Sequence, residues 1–281
     1  MENSMPSAHR LSRRVVTSAI ALAMATAGFA TTAFADFKDE LLKNDTIVVG
    51  TTGTAPPFTM INDTGDLDGY DVALMKKVAE DLGVNVEFRQ LDWSGLLPGL
   101  VADRFDVVAS GVTRTKDRLA SDDLIMLSPY IINGVAITKL ASNDEISGWD
   151  DVCGKTVGVV RGSAEINLIR DSLPEGCLGT VKEYPGWTEM SLDLKNHRID
   201  WMGMDYLGPS YLAAKDDSIT VLSDVRSPKT QSLAVAPDDK ELAEAIDALI
   251  AQYREDGTLN AMITEYFGQP VDFSKTPADP K

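Results

Sequence analysis

Phe105-Asp106-Val107-Val108-Ala109-Ser110-Gly111-Val112-Thr113-Arg114-Thr115-Lys116-Asp117-Arg118 is the stretch on which the fold turns. Its apolar opening, 105–109, reads as a buried strand. The strand empties into a small-residue turn carrying hydroxyls, and Arg118 follows about one turn into a segment that reads as a helix. Small residues let the backbone approach a ligand. Helix N-terminal N–H groups favour an anion, and a guanidinium offers two parallel donors. The stretch therefore suits a carboxylate.

Working outward, 46–50 reads as a strand and 69–82 as a helix. Val72, Met75, Val78, Ala79 and Leu82 form one apolar stripe on it. A strand at 84–88 and a helix at 93–102 lead into the strand at 105–109. This βαβαβ alternation is the unit of a parallel, doubly wound sheet. A long extended run, 129–137, has no helix behind it. The alternation then restarts, with strands at 155–160, 181–184 and 199–204 and helices at 164–172, 190–196 and 207–214. The chain returns through an extended 231–236 and closes with helices at 240–255 and 259–267, separated by a turn at Asp256-Gly257. Two α/β lobes joined by extended strands make a cleft, and open sheets of this kind bind ligands beyond the carboxyl ends of their strands. The loops expected to face the cleft are 50–58 with 110–118, and 161–165 with 204–206.

The N-terminus has Arg10, Arg13 and Arg14 followed by an uncharged run from Val15 to Ala35 that ends in Ala33-Phe34-Ala35. This reads as a secretory signal over residues 1–35, cleaved after Ala35, with an ordinary charged n-region preferred over a twin-arginine signal at Ser12-Arg13-Arg14. The run is poor in Leu and Ile, which argues against a membrane anchor. The whole chain carries a net charge of −17, and losing three basic residues and one acidic residue with the signal takes it to −19. That excess of acid argues against nucleic acid and anionic membranes as partners. Cys153 and Cys177 are the two cysteines. In an exported protein an isolated pair is most simply a disulfide. A metal site is the alternative, with His197 as the single further histidine of the mature chain.

Further pieces now stand in order along the chain. They are Val49-Gly50-Thr51 through Pro57-Phe58, Gly69-Tyr70-Asp71, Trp93-Ser94-Gly95-Leu96-Leu97-Pro98, and Phe105-Asp106 through Thr113-x-Thr-x-x-Arg118. Gly154-Lys155-x-Val-Gly158 through Gly162-Ser163, Arg198-Ile199-Asp200 through Asp205, and Asp256-Gly257-Thr258 complete the set. In these pieces the chain resembles the periplasmic substrate-binding proteins of polar amino-acid ABC transporters, over nearly all of 36–270. The resemblance implies a two-lobed periplasmic-binding-protein fold of type II, each lobe a doubly wound sheet, hinged by two crossover strands. Lobe 1 would be 36–131 with 231–281, and lobe 2 would be 132–230. It implies a monomer in the periplasm that closes on an amino acid or amino-acid-like zwitterion and delivers it to an ABC transporter permease, with no cofactor, no metal and no chemistry of its own.

The resemblance also implies a site. Arg118, Thr113, Gly111 and the Ser163 loop would hold the ligand carboxylate, and Asp205 its ammonium. Trp93, Phe58, Thr52, Ala55 and Asp71 would shape the side-chain pocket. The family often has an aromatic residue where Ala55 stands and a hydroxyl where Ala164 stands. Its binders of cationic amino acids often have an acid where Thr52 stands, so the resemblance points away from arginine, lysine and histidine.

Plainer readings stand beside these. Asp205 could be an N-cap, Asp71 could cap the helix after Tyr70, and Trp93 is either cleft wall or core. Trp201 reads as core, and Arg114 and Arg161 as exposed cations that could otherwise reach an acidic ligand. Gly154-Lys155-Thr156 lacks the earlier glycine of a phosphate-binding loop, and no nucleophile elbow or zinc-protease motif occurs. Two other functions share the scaffold. One is a cyclohexadienyl-dehydratase-like enzyme, with Glu165 as its cleft acid. The other is a ligand-sensing module for a receptor.

Overall fold

The computed structural model describes residues 46–280, so the signal segment and its cleavage after Ala35 lie outside the described residues. The first strand, β1 (Thr46–Thr51), buries Ile47 and Val49 completely. A small antiparallel sheet that the sequence did not announce follows it: β2 (Thr54–Ala55), β3 (Thr59–Ile61) and β4 (Leu67–Asp68). Helix α1 (Tyr70–Leu82) buries the stripe expected from its spacing and stops at Gly83, which takes the left-handed conformation at φ 70°. Next come β5 (Asn85–Gln90), α2 (Trp93–Val101) and β6 (Val107–Thr113).

β5 and β6 flank β1, both parallel to it. Phe105, just ahead of β6, fixes α2 against the sheet. Its ring lies where a Cβ on Gly50 or on Gly99 would sit, 2.6 Å from each. No larger residue fits at either glycine without moving the ring.

A single-turn helix α3 (Lys116–Leu119) and a short β7 (Ile125–Met126) lead to β8 (Ile131–Leu140). The second βαβαβ unit is β9 (Val157–Val160), α4 (Glu165–Ser172), β10 (Val181–Tyr184), α5 (Trp187–Lys195) and β11 (Trp201–Asp205). β9 lies between β10 and β11, parallel to both, which repeats the topology of the first unit. Helix α6 (Leu207–Ala213), β12 (Ile219–Val221) and the long β13 (Arg226–Val235) follow, and then α7 (Lys240–Glu255) and α8 (Thr258–Phe267).

The two parallel units meet through two antiparallel strands. The order across the sheet is β10-β9-β11-β8-β13-β6-β1-β5. β8 and β13 pair with each other, β8 borders the second unit, and β13 borders the first. Apolar packing is separate on the two sides. Leu96, Leu100, Phe105 and Val108 form one cluster, while Val157, Ile169 and the Trp149–Trp201 pair form another. Trp201 is core, as its mid-strand place suggests. Cys153 and Cys177 form a disulfide across a sequence separation of 24, which sets aside the metal alternative.

Candidate functional site

A cavity lies between the two parallel units, at the carboxyl ends of their strands. The first unit contributes Thr52, Thr54, Ala55 and Phe58 after β1, Trp93 at the start of α2, and Ser110, Gly111 and Thr113 in β6. The second contributes Val160 and Ser163–Glu165 after β9, residues 185–187 after β10, and residues 203–205 of β11. Trp93 Nε1 donates to the Gly162 carbonyl oxygen at 3.1 Å and so bridges the units.

The end of β6 departs from the sequence reading. Residues 110–113 form strand and not turn, but the strand is irregular there. Val112 pairs with Ser232 and Val108 with Ala234, so β6 carries extra residues between these pairs. Gly111 sits in this irregularity at φ 65°, which an L side chain tolerates poorly. Its N–H donates to Asp71 Oδ2 at 2.6 Å, and its carbonyl accepts from Gln231 Nε2 at 3.0 Å. Gly111 is thus pinned from both sides and shows its backbone to the cavity.

Asp71 therefore does something other than either expectation. Gly69, and not Asp71, occupies the cap position of α1, and Asp71 does not line the cavity. It lies fully buried behind Gly111, where Oδ2 also accepts from the Tyr130 hydroxyl at 3.1 Å and Oδ1 has no partner among the described residues. Burial pushes its pKa from 3.8 up to about 7, against the pull of the Gly111 and Tyr130 hydrogen bonds.

The sign of its effect on stability follows. The folded state holds this proton more tightly than the unfolded chain, so stability falls as pH rises from about 4 to about 7, by on the order of 4 kcal/mol. Thermal melts are expected to show a lower melting temperature at pH 8 than at pH 5. Asp71→Asn should flatten much of that slope, and an unaltered slope in the variant would refute the assignment.

Arg118 is half-buried and lies just beside the cavity, in a neighbouring space it shares with Gly162 and Ser163. Its Nη1 donates to the Thr113 carbonyl oxygen at 2.8 Å, and its Cζ stands 5.5 Å from the centre of the Trp93 ring. No protein acceptor engages Nε or Nη2 among the described residues. Burial draws its pKa down, while the charge of Glu165 across the cleft opposes that shift. α3 spans only four residues, so the guanidinium and hydroxyls dominate here, and a helix dipole adds little. Ser163 Oγ is buried without a partner, on a wall common to both spaces.

On the opposite unit, Asp205 closes β11. Oδ1 accepts from the Gly208 N–H at 2.9 Å, so the carboxylate does help cap α6, and it also lines the cavity. Burial pushes its pKa from 3.8 up to about 6, and the nearby charge of Glu165 adds to the rise. Asn133 in β8 and Gln231 in β13 sit between the halves. Asn133 Oδ1 accepts from the Tyr206 N–H at 3.1 Å, and its Nδ2 approaches Gln231 Oε1 at 3.5 Å.

The other expected pocket residues divide. Phe58 lines the cavity while its ring packs against Phe267 at 4.9 Å. Trp93 is both wall and packing partner of the first apolar cluster. The Thr52 hydroxyl is engaged by Thr59 at 2.8 Å and Ser110 at 3.0 Å, and Ala55 leaves room. Arg114 is no exposed cation. It is 7% exposed, bound to Asp279 at 2.6 Å and to the carbonyls of Leu127 and Met126. Arg161 is exposed, 3.6 Å from Glu183.

Trp187 and Gln231 line the cavity and were missed. The signal for Trp187 was its place three residues past the β10 strand. A helix start read at Met190 instead of Trp187 hid it.

Comparison with known proteins points to one family and one fold. The profile of the bacterial extracellular solute-binding proteins, family 3, matches residues 47–269. The L-cystine-binding protein TcyJ of Escherichia coli K12 is 31% identical over 265 residues, 93% of this chain and 97% of that one. Among solved structures, the P235GK mutant of ArgBP from T. maritima superposes with a TM-score of 0.75 at 27% identity, over 83% of this chain and all of that one. The ancestral amino acid-binding protein AncCDT-1, described as a precursor of cyclohexadienyl dehydratase, gives 0.74 at 27% identity, over 82% and 99% of the two chains.

Proposed function

The chain belongs to family 3 of the bacterial extracellular solute-binding proteins, and from that premise we propose that it captures an amino acid or amino-acid-like zwitterion for an ABC transporter. The observation that carries this reading is the placing of Arg118 and Asp205 on different parallel units, in two adjoining spaces that share the Ser163 and Ala164 wall. A zwitterion pairs its carboxylate with the free guanidinium donors, Thr113 and Ser163, and its ammonium with Asp205. The ligand then stabilises the closed arrangement more than the open one, and that difference is what a ligand needs to drive closure. Among the described residues, lobe 1 is 46–131 with 231–280 and lobe 2 is 132–230. β8 and β13 cross between them and act as the hinge.

The protein is a transport component and not an enzyme. After removal of residues 1–35 it acts as a monomer in the periplasm and presents its closed form to the permease. The relatives named above are binding proteins, which supports transport over the dehydratase and sensor readings.

Asp205 gives the reading a pH signature. Its carboxyl titrates at about 6 in the empty site, and a ligand ammonium favours the ionised form. Binding below pH 6 must therefore expel a proton. Affinity is expected to be level above about pH 7 and to fall by up to about tenfold per unit below pH 6. Titration calorimetry at pH 5 and pH 7.5 checks this, and equal affinity at both values would count against Asp205 as the ammonium partner.

A further inference from the structure

Among the described residues, the ionisable side chains that line the cavity are Glu165 and Asp205, and both are acids. Glu165 opens α4 on the lobe-2 wall and is half-buried. Among the described residues it makes no hydrogen bond and no ion pair, whereas Asp205 is tied to the Gly208 N–H. The two carboxylates and Arg118 are electrostatically coupled, since Glu165 acts on both of the others.

Formal charge then decides what the closed site accepts. Asp205 and Glu165 are negative and Arg118 is positive, so the three leave an excess of one negative charge. An amino acid with a neutral side chain uses Arg118 and Asp205 and adds no net charge. It would close the cleft over Glu165 as an uncompensated carboxylate, which is a costly group to desolvate. A ligand carrying one further positive charge brings the site to neutrality. Trp187 lines the same cavity, and an indole face attracts a cation.

Resting on the amino-acid reading above, we propose that Glu165 is a specificity-determining residue that seats a second cationic nitrogen, so that the preferred ligand is an α-amino acid whose side chain ends in an ammonium or guanidinium group. The acid absent at Thr52 on the lobe-1 wall is supplied from the facing wall. Thr52 itself serves Thr59 and Ser110.

The test uses pairs of near-isosteres that differ in charge, arginine against citrulline and lysine against norleucine. They are titrated into protein freed of bound ligand by unfolding and refolding. The wild type is expected to prefer the cationic member of each pair by about 10- to 100-fold, the worth of one charge-assisted hydrogen-bonded pair. Glu165→Gln should erase that preference by weakening the cationic ligands, while citrulline and norleucine bind as well as to the wild type or more tightly because no carboxylate is left uncompensated, which also shows that the variant is folded. Equal binding of both members by the wild type would overturn the proposal. So would a Glu165→Gln variant that loses neutral and cationic ligands alike, because Glu165 would then be the α-ammonium partner. Binding of neutral amino acids alone removes only this proposal. Binding of no amino acid by the wild type removes the underlying reading as well.

Discussion

Replacing Arg118 by alanine is expected to weaken ligand binding by about 100- to 1,000-fold while leaving the fold intact. The size follows from what the side chain leaves behind. Among the described residues no lysine, arginine or histidine lines the cavity, so a ligand carboxylate enclosed there without Arg118 has no cation to answer it. Removing one partner of a buried ion pair costs about 3–5 kcal/mol, because the other charge stays desolvated. The fold should tolerate the change, since Arg118 sits on a one-turn helix and, among the described residues, its side chain donates one hydrogen bond, to the Thr113 carbonyl. Arg118→Lys is expected to lose about tenfold. It keeps the charge but not the fork, and it no longer stacks a planar group over Trp93. Calorimetric titration of the three proteins with one ligand gives the ranking. An alanine variant that binds like the wild type would take the carboxylate away from Arg118.

The second large effect concerns stability. The Cys153–Cys177 bridge closes a loop that carries β9, α4 and the site residues Ser163 and Glu165. With a sequence separation of 24, the chain-entropy account gives a stabilisation of about 3–4 kcal/mol. Cys177 also packs against the lobe-2 core around Ile169 and Trp201, so the bridge ties the outer loop to that core. Changing both cysteines to serine should lower the melting temperature by about 10 °C. A reductant acting on the wild type should do the same. A double variant that melts within about 2 °C of the wild type would show that the bridge adds little to the folded lobe.

Much of this molecule is legible in its sequence because its signals are local. The stripe on α1 and the strand–helix alternation in both halves need only neighbouring residues to be read. The cavity collects residues from every loop set expected at the cleft for the same reason, since strand ends in an open α/β sheet point one way. What escaped depends on partners far along the chain. Gly111 leaves regular strand geometry because Asp71, forty positions earlier, takes its N–H. Arg114 is buried because Asp279, 165 positions later, comes back to it. Composition carries no trace of either pairing. Asp71 looked like a cap because caps are the common local use of an acid at a helix start, and long-range burial overrode that use.

The most direct test of the central claim is the melting temperature of ligand-free protein against a panel of amino acids, betaines and opines. A ligand present at 100 times its dissociation constant adds about 2.7 kcal/mol of stability. In a chain of this size that raises the melting temperature by about 5–10 °C. Such a rise is expected with at least one α-amino acid, largest for those with a cationic side chain, and is expected to be lost in Arg118→Ala. A flat response to every amino acid would contradict the reading of Arg118 and Asp205 as a clamp for a zwitterion.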